Sequence, residues 1–245
     1  MIPQDFIRSA LAARHVVVLT GAGISAESGV PTFRDAQTGL WARYDPQDLA
    51  TPEAFERDPG LVWSWYEWRR ELIAGARPNA AHQALARWQR QRDGVRIVTQ
   101  NVDGLHARAG SREVIELHGN ITRTLCSRER REVADWAAPA AGAAPTCPAC
   151  GAYLRPDVVW FGESLPMAAL EAAVQAVRGA DLVLSVGTSS LVQPAASLPY
   201  EALGNGVPVA EINPEATSLS ERVSFSLRGR AGEVLPELVN YLESG

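Results

Sequence analysis

Two glycines spaced by one residue end an apolar, β-branched run, and the first chemistry in this chain is legible at that junction. Val16-Val17-Val18-Leu19-Thr20 runs into Gly21-Ala22-Gly23-Ile24-Ser25-Ala26. A short apolar run bounded by glycine reads as a buried parallel strand. Gly21-x-Gly23-x-x-Ala26 then fits the dinucleotide-binding pattern G-x-G-x-x-G/A. Gly21 permits the tight turn, and Gly23 lets the backbone approach a pyrophosphate with no Cβ between them. A helix beginning there would offer free N–H groups to an anion. The plainer reading is a glycine-rich turn with no ligand. The segment after Ala26 departs from a dehydrogenase, where a second strand carries an acid for the ribose within about 30 residues. Here Glu27 to Asp35 and Gly39-Leu40-Trp41 form an irregular loop, and its Phe33-Arg34 pair suits covering a cofactor and its phosphates.

Other small and polar clusters stand where strands should end. Gln100-Asn101-Val102-Asp103, Gly187-Thr188-Ser189 and Asn213-Pro214-Glu215 each follow an apolar run, and His118 follows Glu116-Leu117. Ligands of open α/β sheets bind beyond the carboxyl ends of strands. One such cluster is more simply a turn; five on one edge suggest a site. Asn213 or Glu215 would hold ribose hydroxyls in place of the missing acid. The other histidines have plainer readings. His15 begins a strand at the far edge, His82 caps or packs in a helix, and His106 lies near the site.

The elements that must position these residues alternate. Helices are expected over 4–13, 52–57, 58–73, from the Asn79 cap to 92, after Met167, and near 195–203. Strands are expected over 15–20, 95–99, 114–117, 181–186 and 207–212. Residues 121–157 break the alternation, and they hold all three cysteines and an Ala/Pro/Gly tract from Ala137 to Pro145. This order implies an α/β fold: a Rossmann-type, mainly parallel sheet with helices on both faces and a small inserted lobe.

Composition narrows the function. The 245 residues carry a net charge of −5, which argues against a nucleic-acid role resting on bulk positive charge. No signal peptide, membrane span or basic surface block is evident. An odd number of cysteines argues against a disulfide framework and suits a reducing, cytoplasmic setting.

Taken together, the motifs resemble those of the sirtuins, NAD-dependent protein lysine deacylases. The resemblance rests on Gly21 to Arg34, Thr99 to His106, Leu117-His118-Gly119, Val158 to Glu163, Gly187-Thr188-Ser189 and Ile212 to Glu215. They keep the family order over nearly the whole chain. The resemblance implies a large NAD-binding domain of 1–120 and 151–245 and a small zinc-type lobe of 121–150. It implies a helical insertion, 51–75, that contributes to the small lobe and the acyl pocket. NAD and acyl-lysine would meet in the cleft between the lobes. The acyl oxygen would attack C1′ of the nicotinamide ribose as nicotinamide leaves.

The implied roles fall on particular residues. Asn101 and Asp103 would form the nicotinamide pocket, and His118 would be the general base for a ribose hydroxyl. Gly21, Ala22, Gly23, Ser25, Ala26, Thr32, Phe33, Arg34, Gln100, Gly187, Thr188, Ser189, Asn213, Glu215 and Ala231 would complete the cofactor site. Val159, Phe161 and Gly162 would receive the substrate peptide and its acyl-lysine. Tyr66 and Arg69 share a helix face at i, i+3, and the Tyr-x-x-Arg pair resembles that of sirtuins removing succinyl or malonyl groups. An arginine fork binds a carboxylate well. Such proteins carry two C-x-x-C pairs on a structural zinc. This chain has Cys147-Pro148-Ala149-Cys150 but only Cys126 upstream, with Glu129 at the matching place. Cys126, Cys147, Cys150 and Glu129 would close a site; otherwise the lobe folds without metal. Two other functions share the same nucleotide site: a mono-ADP-ribosyltransferase and a non-catalytic NAD or ADP-ribose sensor. The expected partners are acylated-lysine proteins, with no nucleic acid and no membrane; the oligomeric state is left open.

Overall fold

In the computed structural model, residues 2–31 and 44–244 are described. The chain opens with α1 (Gln4–Ala12) and β1 (Val16–Thr20). Helices α2 (Pro46–Leu49), α3 (Pro52–Arg57), α4 (Pro59–Gly75) and α5 (Ala80–Gln91) precede β2 (Val95–Thr99). Then come α6 (Leu105–Arg108), β3 (Ile115–Glu116), β4 (Gly119–Cys126) and β5 (Leu154–Val158). The last third holds α7 (Met167–Arg178), β6 (Leu182–Val186), α8 (Leu198–Gly204), β7 (Val209–Asn213), β8 (Phe225–Arg228) and α9 (Ala231–Ser244).

Six strands form one sheet in the order β3-β2-β1-β6-β7-β8, with every neighbouring pair parallel. Successive strand side chains face opposite ways, and β1 shows the consequence. Val16 and Val18 join one apolar cluster with Phe6, Leu85, Trp88, Leu235 and Leu238, from α1, α5 and α9. Val17 and Leu19 join another with Ala173, Val177, Leu198 and Ala202, from α7 and α8. Helices therefore cover both faces. The strand order runs outward from β1 in one direction and from β6 in the other, which opens a crevice at their carboxyl ends.

A second sheet pairs β4 and β5 antiparallel. Helices α3 and α4 pack near it: Phe55, Val62, Trp65 and Tyr66 cluster with Ile121, Val158 and Trp160. Both helices start with proline and are capped ahead of it, α3 by Thr51 and α4 by Asp58. Arg70 ties α4 to β4, donating to the Ile121 carbonyl at 2.6 Å and the Arg123 carbonyl at 3.0 Å.

Several expectations are corrected in detail. The stretch after Gly21 is no α-helix but two single-turn 3-10 segments, Ala22–Ile24 and Ala26–Ser28, stopped by Gly29 at φ 75°. The segment expected at 195–203 opens as a 3-10 turn before α8, and the strand expected from Val207 starts two residues later, after Pro208. Six elements, α2, α6, β4, β5, β8 and α9, have no counterpart among the expected helices and strands.

Candidate active site at the carboxyl edge of the sheet

The glycine turn docks on the exit of β6. Gly21 N donates to the Val186 carbonyl at 3.1 Å, and Gly23 N donates to the Gly187 carbonyl at 2.9 Å. A Cβ added at Gly23 would lie 2.8 Å from Gly187, and one at Gly187, whose φ is +60°, would lie 2.5 Å from the Ile24 nitrogen. These glycines thus let two loops interlock at the sheet edge. The Gly23 amide is spent on that contact, so the turn does not offer it to an anion.

Behind the turn lies a buried polar network. Ser25 Oγ donates to Asp103 Oδ2 at 2.7 Å, and Asn101 Nδ2 donates to Ser25 Oγ and to the Gly21 carbonyl, each at 3.1 Å. Leu105 N donates to Asp103 Oδ1 at 2.9 Å. Each Asp103 oxygen therefore keeps acceptor capacity for a further donor. His82 caps α5 reciprocally with Asn79, in keeping with its expected place in a helix, and its Nε2 also reaches Ser25 Oγ at 3.5 Å. His106 bonds Thr20 Oγ1 through Nε2 at 3.0 Å, and its ring meets that of His82 with centroids 4.9 Å apart. Burial pushes His82 down to about 4, against the opposing pull of Asp103. Burial and the neighbouring His82 push His106 down to about 3.

His118 stands beside this network, between β3 and β4. Its Nδ1 lies 2.8 Å from the Gln100 carbonyl. A carbonyl only accepts, so Nδ1 carries the proton and Nε2 keeps the lone pair. Burial lowers the pKa of His118, and the Gln100 bond works against that. The His118 carbonyl accepts from Val159 N at 3.0 Å, which brings the segment after β5 to the same place. That segment leaves the sheet at Val158 as a turn: Trp160 is buried, whereas Phe161 and Gly162 are exposed. Phe161 N is held by the Ala50 carbonyl at 2.9 Å.

A small cleft runs alongside, lined by Gln100, Ser185, Thr188 and Ser190 on its polar side. Asn213 Nδ2 donates to the Thr188 carbonyl at 2.8 Å, so the exits of β6 and β7 are tied together. Ala26, Ser189 and Glu215 lie at this edge, with Glu215 exposed. Ala231 begins α9, whose Gly232 N bonds Glu27 Oε2 at 2.8 Å. Thr32, Phe33 and Arg34 fall outside the described residues. Amides and hydroxyls as donors, and a carboxylate with open lone pairs as acceptor, make a set that fits a carboxamide and ribose hydroxyls.

Tyr66 and Arg69 share the buried face of α4, and the Arg69 guanidinium lies 5.1 Å from the Trp65 ring centre. Burial raises the Tyr66 pKa, against the charge of Arg69, so the phenol stays protonated. Around it is a clamp that the motifs do not reveal. Arg155 binds Glu163 through two bonds, of 2.6 and 2.7 Å, and covers the Trp160 ring at 3.4 Å. It has no clear signal in the sequence, since Arg155 stands in Leu154-Arg155-Pro156-Asp157-Val158 beside a second charge; only its burial in the fold demands a partner.

The thiols of Cys126, Cys147 and Cys150 lie within 4.8 Å of one another, a set that could hold zinc. Glu129 is exposed and pairs with Arg131 beside this set, with its carboxylate also near the Cys150 thiol.

The Sir2 family model matches residues 21–194. NAD-dependent protein deacylase 1 of Pseudomonas aeruginosa is 53% identical over 93% of this chain and 94% of its own length. The NAD-dependent protein deacylase of Aquifex aeolicus is 49% identical, over 93% of this chain and 95% of its own. Among solved structures, a Sir2 homologue in complex with NAD superposes with a TM-score of 0.93 at 46% identity, covering 100% of this chain and 95% of that one. A Sir2–p53 peptide–NAD+ complex superposes with a TM-score of 0.87 at 30% identity, covering all of both chains. The chain belongs to the Sir2 family. Among the described residues, no helix is long and apolar enough to cross a membrane.

Proposed function

We propose that this chain is an NAD-dependent protein lysine deacylase that removes acetyl and succinyl or malonyl groups, yielding nicotinamide and 2′-O-acyl-ADP-ribose. The observation carrying the reading is the convergence of a histidine with its Nε2 lone pair free and the Ser25–Asn101–Asp103 network on one sheet edge. NAD, when bound, supplies C1′ with nicotinamide as its leaving group. Asp103 and Asn101 would orient the carboxamide, and orientation is what weakens that bond in a site with no strong nucleophile. His118 Nε2 would accept the proton of a ribose hydroxyl, a task suited to an imidazole neutral at pH 7. Exposed Phe161 and Gly162, with Val159, would receive the peptide by main-chain pairing.

Tyr66 and Arg69 would take an acyl carboxylate, since burying one without a cation and donors is costly. The small lobe, 121–150 with 51–75 against it, would be held by zinc on Cys126, Cys147 and Cys150, with Glu129 the candidate fourth ligand. A cytoplasmic setting suits free thiols. The test is product analysis by mass spectrometry on acetyl- and succinyl-lysine peptides with and without NAD. Free lysine with acyl-ADP-ribose supports the reading. ADP-ribose left on protein would mean a transferase, and NAD binding without products would mean a sensor.

A further inference from the structure

The hydroxyl of Tyr66 is polarised by its neighbour. Trp160 Nε1 lies 3.0 Å from Tyr66 Oη, and both side chains are buried. An indole N–H only donates, so the Tyr66 oxygen must accept. The phenolic proton cannot lie along that line. Among the described residues no acceptor takes it. A buried hydroxyl proton without an acceptor is unfavourable until a ligand supplies one.

Trp160 is itself firmly held. Glu163 Oε2 accepts from the Trp160 backbone N–H at 2.8 Å while also binding Arg155. Arg155 in turn donates to the Val158 carbonyl at 2.9 Å and stacks over the indole. Phe55 packs with its ring centre 5.1 Å from that of Trp160. The indole therefore has little freedom to rotate its N–H away from Tyr66.

We propose that Trp160 is a positioning residue for acyl selectivity: clamped by Arg155 and Glu163, its indole N–H fixes the Tyr66 hydroxyl as an acceptor on that side and so leaves its proton to donate to the acyl carboxylate. The inference rests on the acidic-acyl reading of Tyr66 and Arg69. It adds that the pair works only with a third residue, which touches neither acyl group nor NAD. An acetyl group ends in a methyl and gains nothing from this donor, whereas a succinyl group ends in an acceptor.

The test is the ratio of succinyl to acetyl kcat/KM in wild type, Trp160→Phe, Tyr66→Phe and the double variant. Trp160→Phe keeps an aromatic ring under Arg155 and removes the donor together with the pyrrole ring that carries it, a packing loss that falls on both acyl substrates and cancels in the ratio. Each single change should lower the ratio roughly two- to tenfold, the worth of one hydrogen bond. The double variant should be no lower than Tyr66→Phe alone, because both changes act through one bond. An unchanged ratio in Trp160→Phe, or losses that multiply in the double variant, overturns the inference while the acidic-acyl reading stands. Unchanged ratios in Tyr66→Phe and Arg69→Met alike would remove that reading and this inference with it. Should Trp160→Phe fail to fold, the proton resonance of the Trp160 indole decides. It should move upfield in Tyr66→Phe, and no movement overturns the inference.

Discussion

His118 and Arg69 carry the chemistry by the state in which their surroundings hold them. The Gln100 carbonyl fixes the His118 tautomer, and burial keeps its pKa below the ordinary imidazole value. At neutral pH the ring is therefore an unprotonated base. Replacing it, His118→Ala, should cut single-turnover deacylation by about 10²- to 10⁴-fold, the usual worth of a general base, while NAD binding persists. Near-full turnover in that variant would remove His118 from the role. The lowered pKa also sets the sign of the pH effect. Protonation disables the base, so kcat/KM should be level at neutrality and fall only as pH drops below about 6.5. A fall beginning above neutrality would contradict the buried, neutral ring. Arg69 is read through its own substitution. Arg69→Met keeps much of the volume and removes the fork. Charge-assisted bonds of about 1.5–3 kcal/mol correspond to roughly ten- to a hundredfold in desuccinylation. Deacetylation should stay within a few-fold, and equal losses on both peptides would mean that Arg69 serves folding or NAD binding.

At the scale of elements, the thiol cluster joins β4 to the end of the Ala/Pro/Gly tract, and the same residues line a small apolar cluster with Trp63, Val133 and Leu154. A metal there would staple a two-stranded sheet that has little core of its own. Freshly purified protein should contain zinc, and chelation should lower the melting temperature before activity is lost. Active protein with no zinc by elemental analysis would remove the site. Glu129→Ala should weaken zinc retention against a competing chelator if its carboxylate leaves Arg131 for the metal, and undiminished retention would exclude it as a ligand. The same scale shows what is legible in sequence. Helix α5 announces itself through the Asn79 cap, and β1, β2 and β6 through apolar runs ending at turn residues, because those signals are local. Helix α9 is not legible, for Gly232 and Pro236 punctuate its amphipathic pattern. Strand β8 is four residues long and half exposed. The glycine turn reads as a helix start because its pattern is shared with helices. Only docking against Gly187 and the left-handed Gly29 make it a pair of 3-10 turns. The Arg155–Glu163–Trp160 clamp depends on a turn folding back over a strand, which no spacing rule encodes.

Across the whole molecule, the polar edge of the sheet is supported by two neutral histidines sealed beneath it. His106 has no partner for Nδ1 among the described residues, so a second proton there would be an unpaired buried donor. Groups facing the pair come from several elements: Thr20 of β1, Ser25 of the glycine turn, Asn79 of the α5 cap and Asp103 after β2. Only Asp103 favours the charged form, and burial outweighs it. In the unfolded chain both imidazoles take protons near their ordinary value of about 6.5. Folded, they resist until about 4 for His82 and about 3 for His106. Between those limits the unfolded state binds more protons, so stability rises with pH through the window and falls as the solution is acidified. His118, also lowered, adds in the same direction. Carboxylates held below their ordinary range, such as Glu163 and Asp181, contribute only at lower pH. The interval from about pH 6.5 to 5 therefore belongs to the histidines. Melting temperatures should be level near neutrality and drop across that interval. His106→Gln, whose amide can still reach Thr20 but does not titrate, should start lower and fall less steeply. A slope identical to wild type would mean that His106 is already protonated in the fold, or that acid lability arises elsewhere.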